Sequence, residues 1–445
     1  MMQLAPERAL PGRSLSRRTV RAGAHVLALS ALCALAACAS TPPPEPLAPA
    51  QSSSDPGPPA LVTGSTSDVQ RAPNPSTPEE ALTRFLTAER PEETWFSPDF
   101  LDKVPIGAIG SVLTQLRDEL GAFVSVAPEG PSGHVARFAR GTVPIRAKLD
   151  AEGRFTTLFL APPEQDVVDF DGAIAALRSL PGKHHLLVVT DGKPRVESHG
   201  DEPLAVGSAF KLAILAALRG QVDTKKRAWK DVVTLKPEHR SLPSGTLHEW
   251  PAGSLLTVQS LASLMIAQSD NTATDALIDV VGRRAIEPFA PHARPFLSTR
   301  EAFVLKAQTN EALLGRWVKA DEAGRRTLLA EIDRQPLPPP EAFSSEPRAI
   351  ADVEWFFSAR ELCGLMEKVH DLPLFSINPG LARAKDWESV AFKGGSEPGV
   401  LNLTTRVSGK GHTHCVVATF NDGKPIDERR VVMTYGQVLA ALRTP

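Results

Sequence analysis

At 445 residues the chain is too long for one ordinary domain, and 42% hydrophobic with 22% charged residues is enough to build packed cores. A formal charge of −2 and the lack of any basic patch with interleaved aromatics argue against a nucleic-acid partner. Many of the forty prolines crowd into the first eighty residues, more than a compact domain needs.

The N-terminus reads as an export signal. Arg13, Arg17, Arg18 and Arg21 precede an apolar run from Ala24 to Ala37. That run is shorter than the ~20 apolar residues of a transmembrane helix. It closes on Leu35-Ala36-Ala37-Cys38, which is similar to a bacterial lipobox. The resemblance implies a lipoprotein signal peptide over 1–37, cleavage before Cys38 and diacylglycerol on its sulfur. The protein would then be lipid-anchored in the cell envelope, facing the periplasm or exterior. The alternative is an ordinary cleaved signal with an incidental cysteine. From 38 to 76 the chain is Pro/Ser-rich without apolar period, a disordered tether.

A small folded unit is expected over 77–163. Thr77-Pro78-Glu79-Glu80 is a helix start, with Thr as cap, Pro in the first turn and acids to meet the dipole. A second helix is predicted over Ala108–Leu120, with Ile109, Val112, Leu113, Leu116 and Leu120 on one face. Three strands follow at Val135–Ala139, Val143–Leu149 and Phe155–Leu160. Helices first and strands after them argue for an α+β layer.

A second unit spans 168–445. Asp191-Gly192 between His185–Thr190 and Lys193–Ser198 is a strong hairpin signal. Helical patterns fill the middle. Strand patterns return at Val390–Lys393, Val400–Val407 and Thr413–Phe420, before a last helix near Val431–Arg443. One antiparallel sheet built from both ends of the unit, beside a helical lobe, is the architecture this order predicts. Cys363 and Cys415 lie in this unit, in a compartment that permits a disulfide, but their spacing does not show that they meet. His184-His185 and His412-Thr413-His414-Cys415 lack zinc-site spacing, and the second reads as a solvated strand face.

Three motifs carry chemistry. Ser208-Ala209-Phe210-Lys211 opens an apolar helix ended by Gly220, and residues three apart share a helix face, so the lysine amine lies near the hydroxyl. Serine needs an adjacent base, and a desolvated lysine can be one. Gly207 gives the backbone freedom for a sharp entry. Roughly one or two SxxK patterns arise by chance in a chain of this length, so the motif alone is weak. Ser269-Asp270-Asn271 ends an amphipathic helix capped by Thr257 and, alone, suits a turn. Lys393-Gly394-Gly395-Ser396 lies on a strand that glycines weaken unless something must approach the backbone.

In this order the three motifs resemble the signature elements of the class A β-lactamase and penicillin-binding serine hydrolase superfamily, from about Val168 to the end. The resemblance implies an α+β, β-lactamase-like fold. The 77–163 unit resembles the small steroid-isomerase-like domain found ahead of some such hydrolases. It further implies that Ser208 attacks an acyl carbon, Lys211 takes its proton, and Ser269 passes a proton to the leaving group. Asn271 and Lys393 would bind substrate, and Gly395 and Ser396 would line it, with the N–H groups of Ser208 and Ser396 as oxyanion hole. No metal or cofactor is needed, and the partner would be a small-molecule or cell-wall-peptide-like substrate.

Two departures stand out. Gly394 occupies a position where the family usually has Thr or Ser, which removes one hydroxyl contact to a substrate carboxylate that Ser396 would have to replace. The loop glutamate that activates the deacylating water in class A enzymes is absent after Asn271. The nearest carboxylate, Glu301, reads as a solvated helix residue. The expected function is acylation of Ser208 by a β-lactam or related amide or ester. The alternatives are an esterase or D,D-peptidase-like hydrolase with slow deacylation, or a non-catalytic cell-wall-peptide-binding lipoprotein. His248-Glu249-Trp250 fits a cleft rim and an exposed loop equally well.

Overall fold

The computed structural model describes residues 75–130, 133–161, 163–166 and 168–443. The export signal, Cys38 and nearly all of the tether lie outside the described residues. Among the described residues no helix is long and apolar enough to cross a membrane. The chain divides into two compact units after Asp166.

The first unit packs two helices on an antiparallel sheet. Helix α1 is Pro78–Thr87, and the Glu80 N–H donates to Thr77 Oγ1 at 3.2 Å, as the capping pattern requires. Helix α2 is Ile106–Leu120. It buries Ile109, Leu113, Leu116 and Leu120, while Val112, expected on that face, is 40% exposed at its margin. Strands β1 (Phe123–Glu129), β2 (Gly133–Phe138), β3 (Gly141–Leu149) and β4 (Phe155–Leu160) pair in that order. Phe85, Phe96, Phe138 and Phe155 fill the core between helices and sheet.

The second unit holds a five-stranded antiparallel sheet drawn from both its ends. Strands β5 (Lys183–Thr190) and β6 (Lys193–Ser198) form the N-terminal hairpin. Its turn places Asp191 at φ 48° and Gly192 at φ 76°, the pair of positive values a tight hairpin needs. Strands β7 (Ser389–Glu397), β8 (Val400–Gly409) and β9 (His412–Asn421) complete the order β7-β8-β9-β5-β6, so β7 is an edge. Helix α3 (Phe170–Arg178) and the last helix, Glu428–Ala441, cover one face through Ile174, Leu177, Tyr435 and Val438. The Tyr435 hydroxyl, 2.8 Å from both Val416 O and Thr405 Oγ1, fixes that last helix to the sheet.

The other face meets the helical lobe. Its central helix, α4, runs Lys211–Asp223. It does not end at Gly220: glycine is tolerated inside a helix, and the chain leaves it at Thr224, whose hydroxyl donates to Gly220 O. Residues 211–218 are buried all round, as befits a helix enclosed by others. Around it stand α5 (Val258–Ala267), α6 (Asn271–Val281), α7 (Thr299–Lys306) and α8 (Ala359–Val369). A disulfide joins Cys363 on α8 to Cys415 on β9, with their Cα atoms 6.0 Å apart. The strand face at His412–His414 is not simply solvated. His412 is exposed beside Asp191, but His414 is 5% exposed, packed near Trp387 and bonded to Thr190. The last helix is called α9 below.

Candidate active site

Ser208 is carried by a single 3-10 turn, Gly207–Phe210, that runs into α4. Gly207 has φ +48°, and a Cβ there would lie 3.1 Å from Ser396 N, so the turn demands glycine on two grounds. Phe210 stacks on Trp355 at 3.8 Å between ring centroids, and the Val206 N–H donates to Trp355 O. Ser208 therefore sits half-exposed on a rigid base.

Lys211 is 0% exposed, and its Nζ lies 3.0 Å from Ser208 Oγ. It also meets Ser269 O at 2.6 Å, Asn271 Oδ1 at 2.7 Å and Ser269 Oγ at 3.1 Å. Two of these four oxygens, a carbonyl and an amide oxygen, can only accept. A neutral amine has two N–H donors and one lone pair; the two acceptors take both donors and leave the lone pair for a hydroxyl proton. Burial pushes the Lys211 amine well below its ordinary pKa, and the nearby Lys393 ammonium adds to that, against Asp270 and Asp275.

Ser269 and Asn271 owe their place to a loop, 240–250, and to the junction of α5 with α6. Asp270 caps α6 by accepting the Ala273 N–H at 2.8 Å. Its other oxygen accepts the N–H groups of Thr246 and Leu247 at 2.7 and 2.9 Å. Ser269 has a positive φ of 57°, an uncommon conformation for a side-chain-bearing residue, which turns it towards both lysines. Ser244 Oγ donates to Ser269 O at 2.7 Å, and Asn271 Nδ2 donates to Leu242 O at 3.1 Å, which directs the amide oxygen to Lys211. Sequence reasoning missed Ser244 and Leu242, since a loop serine and a backbone carbonyl carry no pattern. Glu249 and Trp250 are exposed on this loop.

Lys393 projects from edge strand β7 into the same centre, 3.1 Å from Ser269 Oγ. Burial lowers its pKa to about 7. Gly395 lies two residues on and on the same face. A Cβ there would meet Val206 O at 2.2 Å and Ser208 N at 2.3 Å. The close approach of the Ser208 turn requires the bare backbone here. Ser396, on the opposite face, is exposed.

The structure thus brings Ser208, Lys211, Ser269, Asn271, Lys393, Gly395 and Ser396 together. Residues 174–294, which include Ser208, Lys211, Ser269 and Asn271, match the family model described as the beta-lactamase enzyme family. The chain resembles the class A β-lactamase and penicillin-binding superfamily. Its α+β fold, an antiparallel sheet beside a helical lobe, is β-lactamase-like. Similar solved structures include a β-lactamase from Sphaerobacter thermophilus, at 20% identity and TM-score 0.43, covering 62% of this chain and 96% of that one. PBP-A is 17% identical with TM-score 0.40, over 63% and 97%. An ancestral class A β-lactamase is 18% identical with TM-score 0.42, over 61% and 98%. No curated protein matches the chain significantly.

Glu301 is not the solvated residue expected. It is 2% exposed, because it closes a capping box with Ser298 at the start of α7 and pairs with Arg283 through both oxygens, at 2.9 and 2.6 Å. Ser298 N donates to it at 2.6 Å. A carboxylate so engaged is not poised to accept a proton from water. Among the described residues no group of three or more His, Cys, Asp or Glu is placed to hold a metal ion.

Proposed function

We propose that the protein is a serine hydrolase that forms an acyl-enzyme on Ser208 with a β-lactam or a related amide or ester. The observation that carries this reading is the satisfied, buried, neutral-favouring Lys211 with its lone pair directed to Ser208 Oγ at 3.0 Å. Lys211 takes the hydroxyl proton as Oγ bonds to the acyl carbon. Charge on the carbonyl oxygen is met by the N–H groups of Ser208 and Ser396, each such donor being typically worth ~2.7–4 kcal/mol. The proton passes through Ser269 to the leaving atom, with Lys393 holding the Ser269 oxygen in line. Anchoring through Cys38 would place this site in the cell envelope.

Slow deacylation is the second reading, favoured by the engagement of Glu301 with Arg283 and Ser298. Intact-protein mass spectrometry after incubation with a fluorescent penicillin, a chromogenic cephalosporin and simple esters tests both readings. Steady turnover supports a fast hydrolase, and a persistent adduct on Ser208 supports slow release. The catalytic reading fails, leaving a binding lipoprotein, if no adduct or turnover distinguishes the protein from its Ser208→Ala variant.

A further inference from the structure

The near-neutral balance of the whole chain conceals one cationic run. Where the chain leaves α4 it reads Lys225-Lys226-Arg227-Ala228-Trp229-Lys230, turning through Lys225 at φ +59°. The four cations are exposed, and with Trp229 they line an open hollow of about 630 Å³. Among the described residues the ammonium groups of Lys225, Lys226 and Lys230 make no ion pair or hydrogen bond. Arg227 donates to Val280 O at 2.8 Å. The one acid lining the hollow, Asp231, accepts the Ala228 N–H at 2.7 Å, so four cations face a single carboxylate.

An apolar face adjoins them. The short strands Val232–Thr234 and Leu255–Thr257 pair antiparallel, with Val232 opposite Thr257 and Thr234 opposite Leu255. Alternation sends Val233 and Leu256 into the core of the helical lobe and turns Val232 and Leu255 outward. These two are 63% and 68% exposed, the most exposed large apolar side chains among the described residues, and here they are diagonal neighbours. Run and strands form one piece, because the Gln259 N–H donates to Trp229 O and the Val258 N–H to Asp231 O, both at 2.9 Å. An apolar residue exposed singly is ordinary, but a pair of them beside uncompensated cations has the composition of a lipid-facing surface. A nucleic acid would need rings on which bases stack, and Trp229, the one aromatic in the run, is half-buried.

We propose that this face docks on an anionic lipid surface, with Lys225, Lys226 and Lys230 meeting the head-group phosphates and Val232 and Leu255 entering the head-group boundary. The segment between the two strands carries Ser244, whose hydroxyl donates to Ser269 O at 2.7 Å, so the docked strand pair brackets one wall of the candidate site. Neither the acyl-Ser208 chemistry nor the Cys38 anchor is required for this docking.

The test uses the chain from Cys38 onward, made with Cys38→Ser so that it carries no lipid, in flotation with two kinds of vesicle. One is phosphatidylcholine, and the other is phosphatidylcholine and phosphatidylglycerol in equal parts. At low salt the protein is expected to bind the mixed vesicles at least about a hundredfold more tightly, since each lysine near an anionic surface contributes about fivefold. Added salt should erode that preference. Lys225→Gln, Lys226→Gln and Lys230→Gln together are expected to reduce it to about fivefold. Val232→Thr with Leu255→Thr is expected to weaken binding to the mixed vesicles about tenfold while the preference persists. All five side chains are exposed, so both variants are expected to melt with the parent. Equal binding to the two vesicles, a preference unmoved by the lysine changes, or an apolar variant that binds like the parent would each overturn lipid docking. Inorganic polyphosphate held by the parent and not by the lysine variant, with no vesicle bound, would overturn it too and make the face a receptor for a soluble polyanion.

Discussion

Replacing Gly395 by alanine is the sharpest probe of how the strand and the Ser208 turn are fitted together. The added methyl carbon would sit 2.2 Å from Val206 O, 2.3 Å from Ser208 N and 2.7 Å from Ala209 N. All three are backbone atoms, so no side chain can swing aside. Ordinary carbon contacts need roughly 3.5 Å, so β7 and the turn must separate by about 1 Å. Ser396 N moves with the strand, and one of the two proposed oxyanion donors loses its aim. A misplacement of ~1 Å can cost about 100-fold in rate, and outright loss of one donor about 100- to 1000-fold. Overpacking should cost about 1–3 kcal/mol in stability, a fall in Tm of roughly 2–12 °C. Single-turnover acylation by an activated ester, followed by mass, and a thermal scan measure the two effects. Acylation within threefold of the parent, with Tm unchanged, would refute the close approach of strand and turn.

Lys393→Met removes the charge that helps keep Lys211 deprotonated, so the Lys211 pKa rises and the acid limb of the acylation–pH profile should move to higher pH. In the parent, Lys393 titrates at about 7 when folded but near 10.4 unfolded, so the unfolded state holds more protons between those values. Parent stability measured in denaturant should therefore climb relative to the Met variant as pH rises from 7 towards 10, and a flat difference would contradict the burial of that amine. Opening the Cys363–Cys415 bond, which closes a loop of 52 residues, should cost about 4 kcal/mol on the chain-entropy estimate, read as a lowered denaturation midpoint under reductant. Glu301→Gln should lower Tm by leaving Arg283 without its ion pair, yet leave release of acyl-Ser208 at the parent rate; slowed release would make Glu301 the missing base.

What the sequence reveals here is what depends on neighbours in the chain. The Asp191-Gly192 hairpin needs only two residues that tolerate positive φ, and the Thr77 cap needs only the residues after it. The three motifs were legible together because each carries its own geometry: Lys211 one turn beyond Ser208, and Asn271 opening a helix just after Ser269. Strand β1 escaped notice because Phe123–Glu129 is mostly exposed and has no clean alternation. Glu301 and His414 were misjudged for another reason. Their burial comes from Arg283 and from Thr190 and Trp387, partners 18 residues or more away, which no local pattern records.

The proposed acylation requires a lysine that stays neutral at ordinary pH among oxygen atoms that would welcome a proton. Burial alone pushes the Lys211 amine down, and the Lys393 ammonium, linked to it through one hydroxyl, pushes the same way. Both lysines cannot easily be charged together, since Ser269 Oγ is 3.1 Å from each. The restoring influence is Asp270, the cap of α6, and Asp275, within that helix. Asp275 is itself driven up to about 7 by burial, despite donors from Thr299 and Arg300, so near neutrality it carries only part of its charge. Its hold on a Lys211 ammonium weakens near neutrality, where the proposed mechanism needs that amine free. Asp275→Asn should then lower the pH at which Ser208 begins to acylate, because removing that carboxylate takes away an interaction that favours the charged amine. An acid limb moving to higher pH would show instead that Asp275 acts on Lys211 only through the packing of α6.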